Sequence, residues 1–517
     1  MEMEEVYSDH IFIFPFKWTI GEENKNIKDK LNFEKVKQEI SNDKNWIEEY
    51  FENETEDEYN INKYFYDYAK KILFNTKNSY ENQNLVKNYK YDFCIGDYEI
   101  YVKEKVYKLN LKKIELKMYK TGIGFLIYYL SNSNYALLNE INEINDFGRR
   151  IYPQYLPIEK TKKSFLAKKL KIKFCNKEIV EEFSGKLGRI SKTVMDILGN
   201  NFSENFDKNK FINIKSIIDD RMYTLCHLRL NNFSKMLKNN ENEKGTYNYL
   251  KNIDWNSYIF LDNDYATTQD KDKLFIDNKK YTYNRWTDYG TLFGITRYSF
   301  MIISDDSEFS NVVLNKHFIN LYKNFSIIAL LQRSTILRFL DETSIIASYN
   351  EKNNYLKEFE ELNIRYMEFK NKMYFDEITP QEQGIEIFDM MENIMGISYK
   401  IEKLGKNIEE LYNNSVLKNQ EKRNKYIAII TVLGTLLTFF NLLEIEYSKI
   451  VSIKLLDNYN DIINYIVFSF LTILLFFSGV FIFKKIEKKR DKILFLIIYV
   501  LFLISYILLK IIKGDII

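Results

Sequence analysis

Apolar and polar positions follow three different rhythms along the chain. Over the first three hundred residues, short apolar runs alternate with helical spacing. Ile11 to Phe14, Tyr98 to Val102 and Gly124 to Leu130 predict strands, whereas Glu34 to Tyr59 and Ile179 to Leu198 predict helices. This mixture predicts an α+β domain over residues 1–305. From Ser310 to about Tyr349 there is neither Gly nor Pro, and Leu314, Phe318, Leu321, Phe325, Ile328 and Leu331 recur at helical spacing. A second helical pattern covers Tyr355 to Ile378. Thr379-Pro380-Gln381-Glu382 then reads as a helix start, with Thr379 as cap, Pro380 in the first turn and Glu382 reaching back to the cap.

Beyond that start, Ile387, Met390, Ile394, Ile397, Ile401, Leu404, Ile408 and Leu411 alternate steps of three and four. The pattern predicts a helix–helix seam, filled either by another helix of a coil or by the chain's own preceding helix. No proline follows Pro380, so one helix is expected to run from Gln381 onward, making residues 306–425 a helical stalk.

The third rhythm is uninterrupted apolarity. Residues 426–443 hold no charge, and as a helix they extend roughly 27 Å, enough for a bilayer's hydrocarbon. Two further uncharged runs cover 465–483 and 493–509, so residues 426–517 predict a transmembrane region of three spans. Lys418, Lys422, Arg423 and Lys425 precede the first span, and Lys484, Lys485, Lys488, Lys489, Arg490 and Lys492 lie between the second and third. Cations collect on the cytoplasmic side, which puts the large N-terminal part in the cytoplasm and the C-terminus outside. A multi-pass protein of the inner membrane, in contact with lipid, is the expected location.

Charge and composition narrow the function. The 517 residues hold 74 Lys plus Arg against 72 Asp plus Glu, a net charge of +2 that argues against a dedicated nucleic-acid binder. Cys94, Cys175 and Cys226 are too few and too scattered for a disulfide framework or a zinc knuckle. His10, His227 and His317 lack metal-ligand or triad spacing, and no phosphate-binding loop of the GxxxxGK[ST] or GxGxxG kind is present. No nucleophile–base set can be named, so the chain does not read as an enzyme, and no metal-ligand set is specified.

Arginine is the informative residue. Only 12 of the 74 cations are Arg, and ten of these fall between residues 149 and 365. Where Lys is so abundant, Arg marks positions that need a planar, bidentate donor. Asn145 to Arg150, Ile218 to Tyr223, Tyr289 to Tyr298 and Leu330 to Arg333 are the distinctive strings. They nominate Arg149, Arg150, Asp220, Arg221, Trp286, Arg297, Tyr298 and Arg333 as a site for an anionic, base-containing ligand, with Arg on phosphate and Trp or Tyr stacking. The alternative is internal pairing of the arginines with Asp219 or Asp220. In the first span, Thr431, Thr435, Thr438 and Asn441 share one polar stripe and are expected to line a pore, unless the hydroxyls bond back to their own helix.

These strings, together with His10 to Phe16, the turn Thr379 to Gly384 and uncharged spans after a long helix, resemble CorA-like membrane proteins of bacteria, including those found beside type III CRISPR systems. The resemblance covers nearly the whole chain. It implies a pentameric homo-oligomer with an α+β cytoplasmic domain, long stalk helices and a helical transmembrane region. It further implies an antiviral effector gated by a nucleotide messenger, with S-adenosylmethionine joined to AMP as the candidate ligand. The competing implication is a magnesium channel or transporter, with Asp219 and Asp220 as sensing carboxylates. The chain departs from the family in having Phe440-Asn441-Leu442 where Gly-Met-Asn is expected, and three spans instead of two.

Overall fold

The structure is a computed structural model that describes residues 6–450 apart from 21–30, 77–84, 94, 153–166, 175–176, 184–188, 205–210, 240–246, 264–265 and 349–354. Side chains after Thr435 fall outside the description. The chain divides into two compact units, Met1–Asn413 and Asn414–Ile517.

The first unit is built on one mixed sheet, fourteen-stranded among the described residues. Its strands are β1 (Ser8–Ile20), β2 (Trp46–Glu49), β3 (Val86–Tyr91), β4 (Gly96–Val102), β5 (Lys105–Tyr119), β6 (Ile123–Asn132) and β7 (Lys169–Phe174). They continue with β8 (Lys177–Glu182), β9 (Phe202–Ser203), β10 (Ile212–Ser216), β11 (Tyr223–Arg229), β12 (Thr282–Tyr283), β13 (Leu292–Ile295) and β14 (Ser299–Ser304). The main order is β12-β13-β14-β11-β1-β6-β5-β4-β7-β8, antiparallel except for the parallel pair β11–β14. A smaller parallel pair, β9–β10, lies off this path.

β1 is central, and its composition follows from that. Phe12, Phe14, Phe16 and Trp18 pack on one face of the sheet, Ile11 and Ile13 on the other, so neither side of the strand is polar. Pro15 is tolerated because of a change of partner. On one edge β1 pairs with β11 through Ser8–Ile13 and with β10 through Phe16–Ile20, so Phe14 and Pro15 fall in the gap where no ladder amide is required.

The two faces carry different cores. Against the Phe12 face pack the helices Leu138–Gly148, Lys192–Leu198 and Ile253–Phe260, through Ile141, Ile144, Phe147, Val194, Ile197, Trp255 and Tyr258. Against the Ile11 face pack α1 (Lys323–Ser348), α2 (Tyr355–Lys372), α3 (Glu382–Met395) and the start of α4 (Ile397–Ile450). The long helix expected from Ser310 begins with two π-helical segments, Phe309–Leu314 and Phe318–Tyr322, before α1.

Four expectations change. Residues 34–59 are not one helix: they form helix Phe33–Ser41, strand β2 and the start of helix Glu56–Tyr64. Here Trp46 pairs with Tyr91 and buries its ring, so a free sheet edge overrides local helical spacing. Likewise 179–198 becomes β8, which pairs with β7, followed by helix Lys192–Leu198. The capping box at Thr379 is not made. Gln381 is the cap and α3 starts at Glu382, because Thr379 is wholly buried and accepts from the Gln381 amide instead. Nor does a single helix run from Gln381. Gly396 adopts φ 65° and its amide bonds the carbonyls of Glu392 and Asn393, which ends α3 before α4 begins.

The heptad seam is filled from within. Ile387, Ile394, Ile397, Ile401, Leu404 and Ile408 are buried in the same core as Phe325, Phe339, Leu362, Tyr366 and Phe369 of α1 and α2. The Tyr366 hydroxyl donates to the Ile401 carbonyl at 3.1 Å, and Tyr366 also lies where a side chain at Gly405 would stand.

Among the described residues no helix is long and apolar enough to cross a membrane. The run 426–443 lies in α4, but its side chains are described only to Thr435, and the runs 465–483 and 493–509 lie outside the described residues. Within the described stretch, Tyr426, Ile427 and Ile430 are exposed. The Thr431 hydroxyl donates to the Ile427 carbonyl at 2.8 Å and that of Thr435 to Val432 at 2.9 Å, so both bond back to their own helix. The side chains of Thr438 and Asn441 lie outside the description.

Candidate functional site

The turn joining β13 and β14 presents two of the nominated residues. The Thr296 amide donates to the Ser299 carbonyl at 2.9 Å, while the Thr296 hydroxyl receives the Tyr298 amide at 3.1 Å and meets the Ser299 hydroxyl at 2.6 Å. These inward bonds bury Thr296 and Ser299 and turn Arg297 and Tyr298 outward, Tyr298 being 39% exposed.

Arg333 reaches the same place from α1. Its guanidinium carbon lies 5.2 Å from the centre of the Tyr298 ring, and its Nη1 donates to the Arg297 carbonyl. Burial is the main influence on Arg333, lowering its pKa, and its Nε has no hydrogen-bond partner. From the other side, Arg297 Nε donates to the Ile394 carbonyl at 3.1 Å and Lys400 Nζ to the Met395 carbonyl at 2.6 Å. Burial, followed by the charges of Arg333 and Arg297, lowers the Lys400 pKa. Among the described residues, no carboxylate forms an ion pair with Arg297, Arg333 or Lys400. Three cations on three elements thus converge beside an exposed tyrosine and the Gly396 break, with their charge unneutralised.

The other nominated arginines have partners. Arg149 and Arg221 share Asp146, at 3.4 and 3.0 Å, and Arg150 meets Asp220 at 3.1 Å. Asn263 donates to the second Asp146 oxygen at 2.6 Å. Burial lowers the pKa of Arg149, and brings Arg150 down to about 10 with the Arg221 charge adding to the effect. Burial and the neighbouring Asp220 raise Asp219. Asp146, Asp219 and Asp220 thereby balance Arg149, Arg150 and Arg221. A backbone bridge between Arg150 and Arg221 joins the two segments that carry these charges. Trp286 packs elsewhere, against Tyr283 at 5.7 Å and Phe293 at 5.3 Å between ring centres.

Comparison with family models, curated proteins and solved structures finds no match.

Two features escaped the sequence reading. Lys400 was hidden among many lysines, although Gly396 inside an otherwise regular seam was the signal that a helix end, and a cation to cap it, would lie nearby. The other is a Ser8–His10–Asn145 chain, with the His10 ring 2.8 Å from the Ser8 hydroxyl and 2.7 Å from the Asn145 side-chain oxygen. All three are wholly buried, Asn132 also donates to Ser8, and burial pushes His10 down to about 4. The chain resembles a nucleophile–base–orienter set in its distances, yet it is sealed inside the sheet and serves to satisfy core polar groups.

The open cluster suits a ligand with concentrated negative charge and a flat ring. Arg297 is exposed and has Nη groups for a phosphate fork, Arg333 lies behind it at 7% exposure, and Tyr298 offers a face beside them.

Proposed function

We propose that the chain is a membrane-anchored effector that opens the membrane when an anionic nucleotide binds at Arg297, Tyr298, Arg333 and Lys400. S-adenosylmethionine joined to AMP is the first candidate messenger, from the resemblance to CorA-like CRISPR effectors. The reading rests chiefly on the three cations that lack a carboxylate and meet at an exposed tyrosine. Excess positive charge that folding leaves unneutralised is a standing attraction for an anion.

The chemistry is gating, not catalysis. The uncharged runs 426–443, 465–483 and 493–509 supply the membrane anchor, and exposed Tyr426, Ile427 and Ile430 supply apolar surface for lipid or for other copies in a homo-oligomer. The inner membrane of a bacterium is the corresponding location.

Calorimetry on the full chain in detergent tests the site. The conjugate should bind, and Arg333→Lys, which keeps charge but loses the planar fork, should weaken it at least about tenfold. Liposomes holding the protein should leak ions on addition of the messenger. Magnesium flux without any messenger, and no heat of binding, would replace this reading with that of a divalent-cation channel.

A further inference from the structure

Two cations of this cluster already have a task in the fold. The last carbonyls of a helix have no intrahelical donor and carry the negative end of its dipole. At the end of α3, the Ile394 carbonyl receives Arg297 Nε and the Met395 carbonyl receives Lys400 Nζ. Arg297 comes from the β13–β14 turn, and Lys400 from the first turn of α4, so these two bonds fasten the end of α3 to the sheet and to the helix that follows.

Gly396 makes this fastening conditional. Its φ of 65° reverses the chain between α3 and α4, and a Cβ placed there would approach nothing closer than the Lys400 side-chain end at 3.8 Å. Space is therefore open on the outer side of Gly396, while Met395 and Ile397 on either side are buried in the core, and the caps of Arg297 and Lys400 hold the end of α3 between them. A phosphate oxygen is a stronger acceptor for a guanidinium or ammonium than a peptide carbonyl, because both partners are charged.

We propose that the ligand anion draws Arg297 and Lys400 from the Ile394 and Met395 carbonyls, so that binding uncaps α3 and frees α4 to turn at Gly396. This rests on the ligand site proposed above and adds how that site is coupled to motion. Arg333 is the fixed element, since its bond to the Arg297 carbonyl and its stacking on Tyr298 do not involve α3. Burial first, then the charges of Arg333 and Arg297, lowers the Lys400 pKa, and a bound anion would offset the second of these. Arg297 and Lys400 thus act both as ligand contacts and as positioning residues for the hinge.

Spin labels test it in the full chain in detergent. Glu382→Cys on α3 and Glu409→Cys on α4 place both labels on exposed helix faces, with Cys94 and Cys175 replaced by Ser and Cys226 left buried. Adding the S-adenosylmethionine–AMP conjugate should move the interlabel distance by about one helical turn, ~5 Å. Arg297→Gln and, separately, Lys400→Met should produce part of that shift without ligand, because each removes a cap. Arg333→Lys should weaken binding yet leave the unliganded distance unchanged. If calorimetry records binding and the distance stays fixed, the latch is overturned while the ligand site stands. If no binding occurs and the cap variants keep the parent distance, both are overturned.

Discussion

Replacing Glu392 by Gln should leave stability unchanged at acidic pH and make the variant the more stable protein as pH rises. Glu392 lies on α3, one turn before Gly396; it is 5% exposed and its Oε1 has no partner. Burial, then the carboxylates of Asp376 and Asp389, push its pKa up from 4.5 to about 8. The folded chain therefore holds this proton over a window in which the unfolded chain has lost it. For a carboxyl shifted upward, the stabilisation is complete below the unfolded value and is lost as pH climbs through the folded value. At about 1.4 kcal/mol per unit, the loss between pH 4.5 and pH 8 has a ceiling of about 4–5 kcal/mol. The side-chain amide in Glu392→Gln would keep the shape and the neutrality without the titration.

Thermal unfolding followed by tryptophan fluorescence gives the readout, since Trp18 and Trp255 are wholly buried. His10, held down at about 4, and Lys117, held down at about 8 by burial, also make stability depend on pH. Both are common to the two proteins, so the difference between the curves isolates position 392. At about pH 5 the melting temperatures should agree within a degree or two; at about pH 8.5 the variant should melt several degrees higher. Parallel curves over that range would refute the assignment of a protonated carboxyl to this position.

Two further substitutions separate structural from ligand-binding charge. Asp146→Asn leaves Arg149 and Arg221 without their shared carboxylate and should cost about 2–4 kcal/mol in urea unfolding, while messenger affinity by calorimetry stays within about twofold. A tenfold loss of affinity in a folded variant would move the ligand to the Arg149–Arg221 network. Arg338→Met removes a buried guanidinium that donates to the carbonyls of Trp18 and Gly122 and pairs with Glu342 at 2.9 Å. The loss should be about 3–5 kcal/mol, since one removed partner strands several polar groups, and a cost below about 1 kcal/mol would show that Arg338 does not clamp α1 to the sheet.

Features written into local spacing were legible in the sequence. The period of apolar residues marked the helix from Ser310, the helix from Tyr355 and the seam from Ile387 to Ile408, and the compact apolar runs marked β1, β4 and β6. Such signals survive because a helix face or a strand is defined by neighbours a few residues away. The rarity of arginine likewise pointed to Arg297 and Arg333 without any knowledge of the fold. What covers the seam, and which charges meet, depended on residues far apart in the chain. Residues 46–49 and 177–182 became strands because β3 and β7 offered free ladder groups, a tertiary opportunity that overrode helical spacing. Arg150 and Asp220 are 70 residues apart, and Arg221 lies 75 from Asp146. Ion pairing falls with distance through space, so only the folded chain could sort arginines that aspartates neutralise from those left facing Lys400 beside Gly396.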